Sequence, residues 1–129
     1  MAWQTPKTNW VSTDHILYRD WNRISYNAYY IQWMGETWLG IEQTYTNVEK
    51  GNEWSYANEW NDLCEAVWSM NAAVLHRDVQ MPTYYPSGPT PTATDLNTIE
   101  SLELAIYEVI LNIIESGKMM LEAQLEGGF

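Results

Sequence analysis

Two short stretches carry residues that could exchange protons. Asp14 and His15 lie shortly before Asp20, and His76 is followed by an arginine and an aspartate. An acid and a histidine catalyse a reaction only beside a nucleophile or a bound substrate. The sequence has no Gly-x-Ser-x-Gly turn and no nucleophile paired with a histidine by its context. A histidine at a helix end is more often a cap or a surface group, so we expect no catalytic residue and no enzyme activity.

The sequence also predicts neither a metal site nor a cofactor site. His15 and His76 are 61 residues apart and lie in different contexts, which makes them a poor metal pair. The single cysteine excludes an internal disulfide and a cysteine-rich metal site. Cys64 lies between Leu63 and Val67 on an amphipathic stretch, where a buried, inert thiol is expected. Glycine-rich phosphate loops and Asp-x-Asp-x-Asp-Gly calcium loops are absent from the sequence.

The net charge limits the partners that the protein can bind. Seventeen acids against six bases give a net charge of −11. Nucleic-acid binding needs a basic face, so DNA, RNA and anionic membranes are not expected partners. The first residues lack the apolar core of a signal peptide, and no apolar run approaches the ~20 residues of a membrane span. We expect a protein made in a cytoplasm that stays soluble and binds basic or apolar surfaces.

A repeated five-residue pattern marks the elements that would position any site. The pattern is an acid, an apolar residue, asparagine, a polar residue and then Ile or Leu, and its copies are 39 and then 36 residues apart. A spacing of this size corresponds to one supersecondary unit. Apolar residues follow each copy at steps of three and four, which predicts three amphipathic helices. The residues that carry the pattern are Asp20, Trp21, Asn22 and Ile24, then Glu59, Trp60, Asn61 and Leu63, then Asp95, Leu96, Asn97 and Ile99.

The three asparagines of the pattern have two interpretations. They could contact a partner in equivalent ways. More simply, each side chain could bind the backbone of the connection that precedes its helix and so fix how that connection enters the helix. The second interpretation is favoured because asparagine recurs at one helical offset beside apolar residues.

These motifs resemble those of a group of viral proteins. The stretch 7–14 leading into Asp20–Ile24 is similar to small structural proteins encoded in the tail modules of bacteriophages and prophages of Gram-positive bacteria. Residues 56–61 match their second repeat, and residues 87–89 match the Asn-Gly-Pro that precedes their third. Residues 125–129 nearly reproduce their closing Gly-Gly-x-Phe. The resemblance covers the whole chain, rests on short structural motifs and implies no catalytic residue.

The predicted fold is one mainly α domain over residues 1–129. It consists of an arm over 1–17, helical repeats over about 18–35, 57–76 and 92–117 that form a small bundle, and long aromatic-rich connections. Gly35 and Gly117 are expected to end their helices, and a capping box is expected at 92–95. Residues 118–129 alternate apolar and polar side chains, which predicts a C-terminal β-strand. That strand would pair with residues 39–45, with the arm or with a neighbouring chain.

The aromatic composition predicts an interaction surface. The chain has eight Trp and nine Tyr but one Phe, and a small three-helix core cannot bury so many large side chains. The expected function is therefore that of a virion structural subunit, made in the host cytoplasm and binding other virion proteins in multiple copies. The alternative is a carbohydrate-binding module at the tail tip that uses exposed rings as stacking platforms. The candidate interface or glycan residues are Trp3, Trp10, Trp38, Tyr45, Trp54, Tyr84, Tyr85, Leu121, Leu125 and Phe129.

Overall fold

Three helices account for most of the structure, a computed structural model that describes residues 2–54, 56–79 and 91–125, with side chains up to residue 117. Helix α1 spans Tyr18–Leu39, α2 spans Ala57–Met70 and α3 spans Ala93–Leu125. A π-helical turn, Asn71–Leu75, follows α2 directly. The helices pack on one another, and the described residues form no strand. The prediction of a mainly helical bundle is therefore confirmed.

The three repeated pentapeptides begin the three helices in the same way. In each copy the acid accepts a hydrogen bond from the backbone N–H three residues earlier. These bonds join Leu17 to Asp20 at 2.8 Å, Tyr56 to Glu59 at 2.8 Å and Thr92 to Asp95 at 3.0 Å. Each acid satisfies a donor just before the helix and lies at the positive end of the helix dipole. Only the third start is a complete capping box, because the Thr92 hydroxyl also accepts the Asp95 N–H, at 3.2 Å.

All three helices run in the same direction. Contacts between α1 and α3 advance together along both helices, from the Arg23–Glu100 ion pair to the Tyr30–Tyr107 ring contact. Contacts between α1 and α2 also advance together, from the Trp21 and Trp60 rings to the Gln32 side chain, which donates to the Ala66 carbonyl. The first connection must therefore return along the bundle before α2 can begin.

The first long connection returns along α1 as an extended chain held by side chains. The Gln32 amide oxygen accepts the N–H groups of Thr44 and Tyr45, both at 2.8 Å. Nearer the helix start, the Asn22 side chain bonds both the N–H and the C=O of Lys50, at 2.7 and 2.8 Å. An extended segment outside a sheet would otherwise leave these backbone groups without protein partners.

The N-terminal arm lies between α1 and α3 and is held in the same manner. The Asn27 side chain bonds both backbone groups of Gln4, and the Asn97 side chain bonds both backbone groups of Trp10. Asn22 and Asn97 thus bind backbone, as the simpler interpretation predicted, but neither binds the connection that leads into its own helix. Asn22, on α1, binds the connection that leads into α2. Asn97, on α3, binds the arm that leads into α1.

The core is built from residues that hold the same place in the three repeats. Four such sets are each at most 1% exposed. They are Trp21, Trp60 and Leu96, then Ile24, Leu63 and Ile99, then Ala28, Val67 and Glu103, then Ile31, Met70 and Ile106. Parallel helices with a common register bring equivalent positions to the same level of the bundle. The internal repeat is thus a repeat of core layers.

Two glycines predicted to end helices do not end them. Gly35 lies inside α1, where an added Cβ would lie 2.8 Å from Cε of Met70. This glycine allows α1 and α2 to approach each other closely, and the left-handed residue that ends α1 is Gly40, with φ 70°. Gly117 lies inside α3. A single glycine costs a helix only about 1 kcal/mol, which the helix formers on both sides can offset.

The prediction of a C-terminal strand is wrong, because α3 continues to Leu125. Residues 118–125 contain Lys, Met, Leu, Glu, Ala and Gln and no β-branched residue. All of these have high helix propensity, which outweighs a two-residue alternation over so short a stretch. Residues 126–129 lie outside the described part of the chain. Within that part, no helix combines the length and the apolar character that crossing a membrane requires.

Truncation of a shared core layer tests this packing. Leu63→Ala and Ile99→Ala should each lower the free energy of unfolding by about 2–5 kcal/mol, because both side chains are fully buried. Urea denaturation followed by circular dichroism gives this difference. Glu108→Ala, at an exposed site on α3, serves as the control and should change it by less than about 0.5 kcal/mol. Unchanged urea midpoints for the two core variants would contradict the shared core.

Candidate functional site

The acids and histidines considered for catalysis have structural contacts instead. Asp14 accepts the Val11 N–H and pairs with Lys7, and these two groups lower the pKa of its carboxyl. His15 and His76 are exposed. His76 is the left-handed residue that closes the π-helical turn, with φ 58°. In the part of the chain that the structure describes, no three potential ligand residues converge as a metal site.

Glu100 is the centre of a buried polar network that the sequence analysis missed. The side chain is fully buried, and its two carboxylate oxygens accept four hydrogen bonds. Arg23 donates two of them, from Nε at 2.8 Å and Nη2 at 2.9 Å. The arm donates the other two, from the Lys7 N–H at 3.0 Å and from Trp10 Nε1 at 2.6 Å. The network fastens the arm to α1 and α3.

Glu103, one turn further along α3, has no such partners. Its side chain is fully buried in the same layer as Ala28 and Val67, and neither carboxyl oxygen has a hydrogen-bond partner. Burial raises the pKa of this carboxyl well above its usual value, and the nearby Glu100 carboxylate raises it further. Arg23 acts in the opposite direction with a smaller effect. Burial therefore favours the neutral form of the Glu103 carboxyl more strongly than water does.

Cys64 has a buried thiol of low reactivity. Its side chain is 3% exposed and belongs to the core cluster. Burial raises the pKa of the thiol far above its usual value, so the reactive thiolate is scarcely populated. The buried thiol predicted from the sequence is confirmed.

Among the candidate aromatic residues that the structure describes, all but Trp38 pack against the bundle. Trp10 and Tyr45 are buried, Trp3 stacks on Tyr107 with centroids 4.2 Å apart, and Trp54 packs against two core tryptophans. The bundle itself thus covers both tryptophans of the arm. Trp38 differs, because it is 54% exposed. Tyr84, Tyr85 and Phe129 lie outside the described residues, and for Leu121 and Leu125 only the helical backbone is described.

The core is open at the end of the bundle where α1 and α2 terminate. Gly35 on α1 and Ile110 on α3 hold equivalent positions in their repeats, and both are buried. The next pair of equivalent positions, three residues further along each helix, is Trp38 and Ile113. These side chains are 54% and 45% exposed. The equivalent residue of the second repeat is Arg77, which lies past the π-helical turn and outside any helix. The layer therefore lacks its third helix, and two large apolar side chains meet solvent.

The same end of α3 carries Leu111, 36% exposed, which the sequence analysis did not select. The three helices differ in length, since α3 has 33 residues, α1 has 22 and α2 has 14. We call Trp38, Leu111 and Ile113, with the half-buried Ile114, the open core end.

An acidic cleft lies elsewhere, between the first connection and α2. Its volume is about 490 Å³, and its lining includes Glu59, Asp62 and Glu65. Glu59 already accepts the Tyr56 N–H and pairs with Lys50 at 2.8 Å. The other lining residues carry hydroxyl groups or are apolar: Thr44, Tyr45, Thr46, Ser69, Val48 and Ala66.

Comparisons with known proteins give no relative. No family model matches the chain, and neither a curated protein nor a solved structure matches it. The functional argument therefore depends on the residues and their geometry.

The buried acid predicts a specific pH dependence of stability. The folded-state pKa of Glu103 is raised above its unfolded value, so its contribution is fully present below about pH 4.3 and falls as the pH rises towards the folded-state pKa. Across that window the group should lower the stability by about 1.4 kcal/mol per pH unit. Glu103→Gln removes the titration. Urea denaturation between pH 5 and 8 should therefore show the variant gaining stability relative to the natural chain as the pH rises. A difference that stays constant with pH would contradict a raised pKa for Glu103.

Loss of the Glu100 network should be costly. Glu100→Gln places an amide N–H₂ where the site supplies only donors, and it leaves Asp20 as the one charged partner of Arg23 among the described residues. Removing one partner of a buried ion pair destabilises a protein by about 3–5 kcal/mol. The control is Lys7→Ala, which removes an exposed ion pair but keeps the Lys7 backbone bond to Glu100. Urea denaturation should show a far smaller loss for this control. Equal losses of unfolding free energy in the two variants would mean that the Glu100 network stabilises the fold no more than the exposed Lys7–Asp14 ion pair does.

Proposed function

We propose that the protein is a non-enzymatic structural subunit of a bacteriophage tail or baseplate, or of a related phage-like particle. It would bind other virion proteins and would be found in the virion. The observation that carries the proposal is the open core end, where a well-packed bundle leaves Trp38 and Ile113 exposed. Exposed apolar side chains that continue a core stripe are typical of protein interfaces. The resemblance of the helix starts to phage tail proteins supports the class of particle.

The rest of the structure is consistent with this proposal. The side chains that could do chemistry are used to hold the fold: Asp14, Asp20 and Glu59 fix chain entries, and Glu100 fastens the arm. A subunit whose polar groups are used in this way contributes shape and surface rather than reactivity. The net charge of −11 disfavours acidic partners. A partner would therefore bind the apolar surface of the protein or offer a basic surface of its own.

The carbohydrate-binding alternative has less support. Stacking on a sugar needs exposed rings, and of its proposed platforms Tyr45 is buried and Trp54 packs against Trp21 and Trp60. Trp38 is exposed, but it lies beside the unfinished apolar layer rather than in the acidic cleft. Tyr84 and Tyr85 lie outside the described residues.

Incorporation into particles tests the proposal. Particles are purified from cells that express the chain together with its neighbouring genes, and the chain is detected by immunoblotting. The natural chain should sediment with the particles. The double variant Trp38→Ala, Ile113→Asp should stay in the supernatant while circular dichroism shows a folded bundle, because the docking surface is lost. The matched control is Trp68→Ala, which removes an exposed tryptophan from the side of α2 and should be incorporated normally.

Two outcomes would overturn the proposal. One is the absence of the natural chain from purified particles. The other is normal incorporation of the double variant into particles that no longer attach to host cells, which would favour the carbohydrate-binding alternative.

A further inference from the structure

The α2 wall of the acidic cleft corresponds to a face of α1 that binds an extended chain. Each α2 residue of the lining lies 39 residues after a residue of α1, which is the offset between the first two repeats. The α2 residues are Glu59, Asp62, Glu65, Ala66 and Ser69, and their counterparts on α1 are Asp20, Arg23, Tyr26, Asn27 and Tyr30. Because the helices are parallel and share a register, the two faces line corresponding grooves. One groove lies between α3 and α1, and the other lies between α1 and α2.

The face on α1 binds the N-terminal arm. The Asn27 side chain bonds both backbone groups of Gln4. The Tyr26 hydroxyl accepts a backbone N–H of the arm at 2.9 Å, and the ring centroids of Tyr30 and Trp3 are 5.8 Å apart. This face therefore combines hydrogen bonds to an extended backbone with packing on a side chain of the same segment.

The counterpart face on α2 has smaller or acidic side chains. Ala66 and Ser69 hold the places of an asparagine and a tyrosine, and Asp62 and Glu65 hold the places of an arginine and a second tyrosine. The loss of these large side chains widens the groove on the α2 side. The resulting cleft of about 490 Å³ lies within the range of roughly 300–1,000 Å³ that is usual for ligand pockets.

Both walls of the cleft have groups that can bind an extended peptide. On the α2 wall, the carboxylates of Asp62 and Glu65 are exposed and have no hydrogen bond or ion pair with any described residue. The other wall is the first connection. There, neither backbone group of Thr46 is hydrogen-bonded within the described part of the chain. A second extended chain could pair with this backbone on one side and with the carboxylates on the other.

One contact in the structure shows which side chain this face of α2 binds. Glu59, at the start of the row, pairs with the ammonium group of Lys50 at 2.8 Å, and Lys50 belongs to the extended first connection. Asp62 and Glu65 continue the row at steps of three residues, about 4.5 Å each along the helix axis. Alternate side chains of an extended chain are about 6.6 Å apart. The flexible stem of a lysine can accommodate this difference.

We propose that the cleft between the first connection and α2 binds an extended basic segment of another protein. Lysine or arginine side chains at alternate positions of that segment bind Asp62 and Glu65, and its backbone lies beside Thr46. The inference goes beyond the proposed function, because it assigns a second surface, apart from the open core end, and states the chemistry of its partner.

Fluorescence polarisation with the full chain tests the binding. The probe is a fluorescein-labelled peptide of about ten residues in which lysine and threonine alternate, since threonine favours an extended backbone. At about 0.15 M salt, which screens attraction between distant exposed charges, the peptide should bind saturably with a micromolar Kd. The same peptide with glutamate in place of lysine should not bind. Absence of saturable binding of the lysine peptide at millimolar protein would overturn the inference.

A pair of charge variants distinguishes the cleft from general attraction to an acidic protein. The double variant Asp62→Asn, Glu65→Gln should raise the Kd of the lysine peptide at least tenfold. The matched control, Asp78→Asn, Glu108→Gln, removes the same number of charges at exposed sites that do not line the cleft. It should raise the Kd less than threefold, and circular dichroism should show both variants folded. Equal increases in the two variants would refute a specific site.

A variant that fills the cleft tests its volume without a change of charge. Ser69→Tyr places on α2 the residue type that α1 has at the equivalent position, and the site is exposed, so the bundle should fold. The Kd of the lysine peptide should rise at least tenfold. Asn112→Tyr, at an exposed site on α3, is the control for size and should leave the Kd unchanged. Unchanged binding by Ser69→Tyr would place the peptide outside the cleft and contradict the inference.

Failure of the inference and failure of the proposed function give different results. A chain that enters particles but does not bind the lysine peptide refutes the basic partner and leaves the structural role intact. A chain that binds the peptide in the cleft but is absent from purified particles refutes the structural role and leaves the binding site intact.

Discussion

The constraint that governs this structure is the need to satisfy the backbone of long extended segments that are not part of a sheet. Three parallel helices oblige each connection to travel back along the bundle, and an extended chain exposes an N–H and a C=O at every residue. In a βαβ unit the neighbouring strands would bind those groups. Here the helices bind them through side chains, with Asn22 and Gln32 on one connection and Asn27 and Asn97 on the arm. The recurring asparagine is the visible mark of this arrangement in the sequence.

This use of side chains explains why the interior is unusually polar. Ser25 occupies the place in its repeat that Cys64 and Glu100 occupy in theirs, and all three are buried. Ser25 bonds the first connection, with its hydroxyl 2.7 Å from that of Tyr45 and 3.1 Å from the Val48 nitrogen. Glu100 bonds the arm. Side chains at one helical position therefore differ because the segment that each must hold differs. Glu103 is the exception, since it is buried in a core layer without a partner that would compensate for the loss of water.

Sequence reasoning recovered the parts of the fold that depend on local chemistry. An acid three residues into each helix and apolar residues at steps of three and four are sufficient to locate the helix starts, including the capping box at Thr92 and Asp95. The helix ends were harder to predict, because Gly35 is required by the close approach of Met70, a tertiary contact that no local pattern encodes. The path of the first connection along α1 is also set by tertiary contacts. The buried acids could have been found, since aligning the repeats places Glu103 with Ala28 and Val67.

The open core end follows from unequal helices built on equal repeats. The regular part of α2 ends at Met70, the chain widens into a π-helical turn, and the Asn71 side chain bonds the backbone of Arg77 as the chain leaves the bundle. The layer that contains Trp38 and Ile113 thus loses one of its three members, while α3 continues for three further turns. In an isolated bundle such a layer only exposes apolar surface to water, which weakens folding without a gain. Equal repeats carried on unequal helices therefore fill the core layers up to the one that holds Gly35, Val74 and Ile110, and they leave the next layer, with Trp38 and Ile113, open.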